Sequence, residues 1–267
     1  MGKNQILLTN DDGIQSPGLW AAAEALSNLG YVTVAAPRLQ SSGMGRSLPN
    51  TSDGVISKET VKVGSKDWMV YAVGGSPAQA VQHGLLEIMQ QRPKLVVSGI
   101  NYGENVATGI TISGTVGAAM EAASMGIPSL AISLQTATNL HLTYSTEVDF
   151  STAAYFTAFF GRLLIEKQFP ADVYLLKVDI PALAQVQTPW QLTRVARQRY
   201  YDPLPPLRVS WDQPGPVRYH ENMILDPDMN SDVYVLRTKG LVSVTPLSLD
   251  MTSRVDFEIL DKFMRSE

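Results

Sequence analysis

Apolar residues in the first two thirds of the chain fall into short runs separated by stretches of helical spacing. Residues 6–9 (Ile-Leu-Leu-Thr) are an unbroken run too short for a helix, and they read as a buried strand. Leu19, Ala22, Ala23, Leu26 and Leu29 then recur every three or four positions, the stripe of an amphipathic helix, with Gly30 as its stop signal. Residues 31–36 make the next strand, closed by Pro37. The same reading predicts a helix over 78–89, a strand over 94–98 ended by Gly99, an Ala-rich helix over 114–125 and a short strand over 129–133. Strands of four to six apolar residues alternating with helices predict an α/β fold with a doubly wound, mostly parallel sheet.

The pattern changes near residue 180. Proline becomes frequent, and Trp190, Tyr200, Tyr201, Trp211 and Tyr219 are scattered among polar residues. Residues 233–236 and 241–244 look like two strands of a hairpin turning at Lys239-Gly240, and 257–264 suits a terminal helix. The expected organisation is one domain, 1–267, with an α/β core over 1–180 and a β-rich extension over 181–267 that serves oligomerisation.

Composition narrows the chemistry. A chain of 267 residues, 45% hydrophobic and 17% charged, suits one large soluble unit. It has no cysteine, which removes disulfides, thiolate metal sites and a cysteine nucleophile. His83, His141 and His220 are far apart and in no zinc-like spacing, so a hard cation with oxygen ligands is the default. The formal charge of −4 and dispersed basic residues offer no footprint for duplex nucleic acid or acidic membranes. No stretch approaches the ~20 apolar residues of a membrane span. The N-terminal apolar run is too short for a signal peptide, and Ile6 breaks the myristoylation pattern. A cytoplasmic location is expected by elimination.

Three loops carry candidate chemistry, and each has a plain alternative. Thr9-Asn10-Asp11-Asp12-Gly13 follows the first strand, at the carboxyl edge where open α/β sheets bind ligands. Two adjacent carboxylates there repel, and a cation resolves the repulsion. Taken alone, the same residues read first as a turn. Residues 40–47 (Gln-Ser-Ser-Gly-Met-Gly-Arg-Ser) offer small hydroxyls, two glycines and Arg46 to an anion, or are simply a surface loop. Residues 99–105 lead through Ser113-Gly114-Thr115 into the Ala-rich helix, whose N-terminus suits a phosphate, although ordinary capping by Ser113 explains it equally well. Three such loops after three parallel strands converge at one sheet edge. Together they supply the parts for oxygen-ligated metal catalysis on a phosphate.

The ordered segments resemble the SurE family, divalent-metal-dependent 5′/3′-nucleotidases. The resemblance runs over Ile6 to Gly13 with Ser16-Pro17-Gly18, Ala36-Pro37, Ser42-Gly43, Ser47-Leu48, Ser98 to Gly103 with Asn105, and Ser113 to Val116. Near the end it includes Ser231-Asp232-Val233 and residues 242–247. It implies a Rossmann-like three-layer α/β/α core, an extension exchanged between subunits, and a homodimer or homotetramer. It also implies one Mg²⁺ or Mn²⁺ per subunit on Asp11, Asp12, Ser42 and Asn101. The substrate side is implied at Asn10, Asn105, Ser113, Gly114 and Thr115, with Asn105 and Ser113 also catalytic. The chain departs from the family pattern in having Arg38 after Pro37, Arg46 in place of an Asn, and Gln79 and Ala80 in place of an acid and a Cys.

The reading that follows is a phosphomonoesterase acting on nucleoside 5′-monophosphates, with 3′-monophosphates as further substrates. Water is the favoured nucleophile, since both carboxylates are committed to metal. The alternatives are a nucleotide-binding regulatory or scaffold protein with little turnover, and a broad phosphatase acting on short polyphosphate.

Overall fold

The computed structural model describes residues 3–63, 66–141, 143–222 and 228–266. In chain order the elements are β1 (Asn4–Thr9), α1 (Pro17–Leu26), β2 (Gly30–Pro37), β3 (Ile56–Val63), β4 (Lys66–Val73), α2 (Pro77–His83), β5 (Leu95–Tyr102), α3 (Gly114–Ser124), β6 (Ser129–Leu134), α4 (Ser151–Glu166) and β7 (Leu175–Ile180). Then follow β8 (Trp190–Leu192), β9 (Tyr201–Leu204), β10 (Arg218–Glu221), α5 (Asp232–Arg237), β11 (Val242–Leu247) and α6 (Phe257–Arg265).

Nine strands form one sheet in the order β3-β4-β2-β1-β5-β6-β7-β11-β8. The central strands pair in parallel, while β3 and β11 run antiparallel to β4 and β7. Alternation along β1 builds both cores. Ile6 and Leu8 pack with Leu19, Leu26, Phe156 and Phe160 of α1 and α4, while Leu7 faces Ala80, Val81, Ala118 and Ala122 of α2 and α3. Helices on both faces of a mostly parallel sheet give the three layers that the strand–helix alternation predicts.

The helices start where their caps dictate. The Ser113 Oγ accepts the Val116 N–H at 3.1 Å and opens α3. Ser76 and Gln79 form a capping box at α2, with Pro77 at its first position. Gln79 serves as the return arm of that box through its Oε1 at 3.0 Å from the Ser76 N–H.

The hairpin expected at 233–244 does not form. Residues 233–236 lie inside helix α5, whose start is capped by the Ser231 Oγ accepting the Tyr234 N–H. The β-branched run suggested a strand, but the Ser231-Asp232 start and Arg237 in the last turn are helix-end signals that outweigh it. The second expected strand exists as β11, paired with β7 and β8 rather than with 233–236. Two segments of the extension therefore complete the main sheet past residue 180, while β9 and β10 form a separate two-stranded sheet. Residues 223–227 and 267 of the extension lie outside the described residues. The region 99–102, read as a loop, is the end of β5, with a register shift against β6 between Ser98 and Asn101. Among the described residues no helix is long and apolar enough to cross a membrane.

Candidate active site

The loop after β1 is locked from every side. Both arms of the Asn10 amide are spent on Gly13: Nδ2 donates to its carbonyl at 3.0 Å and Oδ1 accepts its N–H at 3.1 Å. Gly13 has φ +97°, and a Cβ there would press on the Leu39 and Gln40 backbone at 3.1 and 3.2 Å, so only glycine fits the turn. The Ser41 N–H donates to the Asp11 carbonyl at 2.7 Å, and the Tyr144 hydroxyl donates to the Asp12 carbonyl at 2.5 Å. Asn10 thus shapes the loop that presents the two carboxylates.

Asp11 and Asp12 are 4% and 1% exposed. The Thr115 hydroxyl donates to Asp11 Oδ1 at 2.5 Å, and the backbone N–H groups of Thr115 and Gly114 also favour the ionised carboxylate. Burial nevertheless pushes the Asp11 carboxyl above its ordinary value. Asp12 is pushed well above, by burial and then by the charge of Asp11, against a backbone N–H from Tyr102 at 3.2 Å and the Gln40 amide. Gly114 makes room for this arrangement. A Cβ there would lie 2.7 Å from Asp11 Cβ and 2.9 Å from its Oδ2.

The other expected residues take distinct places. Asn101 uses its Nδ2 on the Tyr102 and Gly103 carbonyls at 3.1 and 2.7 Å, which fixes its amide and turns its oxygen away from both. Ser42 is exposed, one residue beyond the Ser41 link to Asp11. Asn105 donates its backbone N–H to Asp179 at 2.8 Å and one side-chain hydrogen to Ser133 at 2.9 Å. Ser113 accepts from the Val116 N–H, and the Thr115 hydroxyl is spent on Asp11. Arg46 does not join them. Its Nε donates to Glu121 and its Nη2 to Ser124, both at 2.7 Å, about 10 Å along α3 from Gly114.

Two features were not read from the sequence. Tyr102 and Tyr144 wall the Asp pair, and burial followed by the Asp12 charge pushes the Tyr102 hydroxyl up to about 12. Behind Asn105 lies a fully buried ion cluster, in which Lys177 Nζ is 2.5 Å from Asp179 and 3.2 Å from Asp232. Asp232 also accepts the Ala107 and Ala196 N–H groups at 3.1 and 3.0 Å. The signal was present: Lys177 and Asp179 share one face of an otherwise apolar strand, where only paired charges survive.

The donors suit a hard divalent cation. Two like charges are buried side by side, and among the described residues no lysine, arginine or histidine forms an ion pair with either. Among the described residues no three of His, Cys, Asp and Glu gather into a metal-binding group.

Comparison with known proteins places this geometry in context. Residues 6–202 match the family described as "Survival protein SurE". The 5′-nucleotidase SurE of Methanosarcina acetivorans is 38% identical, over 97% of both chains. That of Thermococcus gammatolerans is 40% identical, over 98% of this chain and 97% of its own. Among solved structures, the SurE protein from Aquifex aeolicus superposes with a TM-score of 0.73 at 31% identity, covering 98% of this chain and all of that one.

Proposed function

The chain belongs to the SurE family, and from that premise we propose that it is a divalent-metal-dependent phosphomonoesterase that hydrolyses nucleoside 5′-monophosphates, with 3′-monophosphates as further substrates. The observation that supports the reading is the buried Asp11–Asp12 pair, without a cationic partner among the described residues, set at the carboxyl end of β1 against the N-terminus of α3. Asp11 and Asp12 hold one Mg²⁺ or Mn²⁺ per subunit, with Asn101 and Ser42 as neutral oxygen donors. When bound, that cation supplies Lewis acidity toward a phosphate oxygen and toward water.

The chain's own residues do the rest. The second Nδ2 hydrogen of Asn105 and the Ser113 hydroxyl donate to the phosphate oxygens as charge builds on them. Gly114 lets the phosphate approach the helix N-terminus, where the dipole favours negative charge. Thr115 and Asn10 act one step back, by fixing Asp11 and its loop. Tyr102 and Tyr144 exclude water from one side of the pair, and water arriving from the open side is the nucleophile. The setting of the reaction is cytoplasmic, in a homodimer or homotetramer.

A substrate panel tests this: nucleoside 5′- and 3′-monophosphates, p-nitrophenyl phosphate and short polyphosphate, each with and without EDTA. Release of phosphate from the nucleotides should stop with EDTA and return with Mg²⁺ or Mn²⁺. Full activity in verified metal-free protein would overturn the reading. Preference for polyphosphate would replace the substrate, and tight nucleotide binding without turnover would make the protein a nucleotide-binding regulator.

A further inference from the structure

A cavity of about 310 Å³ opens beside the loops that hold the Asp pair, and none of the residues assigned above to metal or phosphate lines it. It lies between the segment after β2, the loop before β3 and the turn after β4, and its walls include Arg38, Gln40, Met44, Asp53, Gly74 and Ser76. Its size is at the lower end of ligand clefts, about 300 Å³ upward.

Its position follows from contacts with the site. Ser41, in its wall, donates its N–H to the Asp11 carbonyl at 2.7 Å, and the Gln40 amide faces Asp12. On the opposite side Ser76 leads into Pro77, whose Cγ is 3.1 Å from where a Cβ on Gly114 would stand. The cavity therefore shares two walls with the Asp11–Gly114 cradle.

Its chemistry is mixed in a specific way. Arg38 Nη2 donates to Asp53 Oδ2 at 2.8 Å, and both side chains are about half exposed. An exposed pair like this contributes little to folding, yet the backbone is cut away to seat it. A Cβ on Gly74 would lie 1.8 Å from Asp53 Oδ1 and 3.1 Å from Arg38 Nη2. Among the described residues only one of the Arg38 nitrogens is engaged, so the fork keeps donors to spare beside a carboxylate acceptor. Leu39 and Met44 stay exposed on the same wall and offer an apolar surface. A donor fork, an acceptor and an apolar face suit a flat, polar-edged ring joined to a hydroxyl-bearing sugar.

We propose that this cavity holds the nucleoside part of the substrate, with Arg38 and Asp53 reading its polar edge and Leu39 and Met44 supporting the ring. The proposal rests on the phosphomonoesterase reading for its substrate class, and it makes Arg38 and Asp53 determinants of specificity for leaving groups that carry a base and ribose.

The experiment has two arms. In the first, Arg38→Ala and Asp53→Asn are compared with the unaltered protein on nucleoside monophosphates and on p-nitrophenyl phosphate, which has no nucleoside. The ratio of kcat/KM for nucleotide over p-nitrophenyl phosphate should fall about tenfold, through KM, for one lost charge-assisted hydrogen bond. An unchanged ratio, including one in which both substrates suffer alike, overturns the proposal. The second arm needs no turnover: calorimetric titration of the unaltered protein with adenosine, guanosine, cytidine and uridine. At least one should bind, and Arg38→Ala should weaken it by a similar factor. Failure of all four to bind overturns the proposal, whereas failure of every phosphate ester to react, with a nucleoside still bound, overturns only the catalytic reading.

Discussion

Asp11 and Asp12 are stabilised as anions by little more than a hydroxyl and a few N–H groups, while burial and mutual repulsion act against both. Such a pair is tolerated for function at the expense of stability. Asp12→Asn removes the repulsion and keeps the shape. In EDTA it should raise the melting temperature by about 2–4 °C, the shift that about 1 kcal/mol gives in a chain of this size. With metal restored it should lower kcat/KM by at least about 10²-fold, as should Asp11→Asn. A melting curve and initial rates on the same samples check both halves, and a fully active Asp12→Asn would remove Asp12 from the ligand set. Arg46 behaves in the opposite way. Glu121 is buried and depends on Arg46 and Gln82, so Arg46→Asn should cost about 1–2 kcal/mol of stability. Its KM for nucleotides should stay within about twofold, the scatter expected for a contact outside the pocket. A KM raised across the whole nucleotide panel would mean that the guanidinium leaves Glu121 for phosphate.

Between elements, the decisive link is the Lys177 cluster. It joins β7 to the N-terminus of α5 through Asp232, and to the loop after β5 through the Asn105 and Ala107 N–H groups. The extension therefore helps to set where Asn105 stands. Lys177→Met would leave two buried carboxylates without their cation, a defect worth about 3–5 kcal/mol. Urea unfolding should show the midpoint fall accordingly. The activity that survives should have a raised KM for phosphate esters, because Asp179 would no longer hold the Asn105 backbone in one place.

For the whole molecule, the exposed apolar surface is concentrated in the extension. Phe257, Ile259, Phe263 and Met264 of α6 are exposed, and so are Leu207, Val209 and Trp211 between β9 and β10. An amphipathic helix with no buried residue is not stabilised by its own chain. A homodimer or homotetramer that covers these surfaces is the expected assembly. Light scattering at micromolar concentration should give at least twice the 29.1 kDa of one chain. Truncation before Asp256 should lower the observed mass, and a monomeric full-length protein would refute the assembly.

The sequence determined by itself what depends on local spacing. Continuous apolar runs such as Leu7-Leu8 and Val96-Val97 read as strands buried on both faces, and the Ala-rich stretch after Ser113 as a capped helix. Asp11 and Asp12 stood out as adjacent acids closing a strand, but taken alone they read first as a turn, and it was the family resemblance that singled them out as a metal pair. What depends on distant partners was settled by the tertiary structure. Residues 233–236 have the composition of a strand, yet they form a helix whose start is capped by Ser231 and whose first residue, Asp232, meets Lys177, 55 positions earlier. Arg46 has the reach to touch a phosphate, but the direction of its fork is set by Glu121, 75 residues away. Arg38 and Asp53 are ordinary surface charges until β2 and β4 pair and Gly74 brings the backbone beneath them. Local periodicity records which face of an element is buried, but it carries no information about which charge that face will meet.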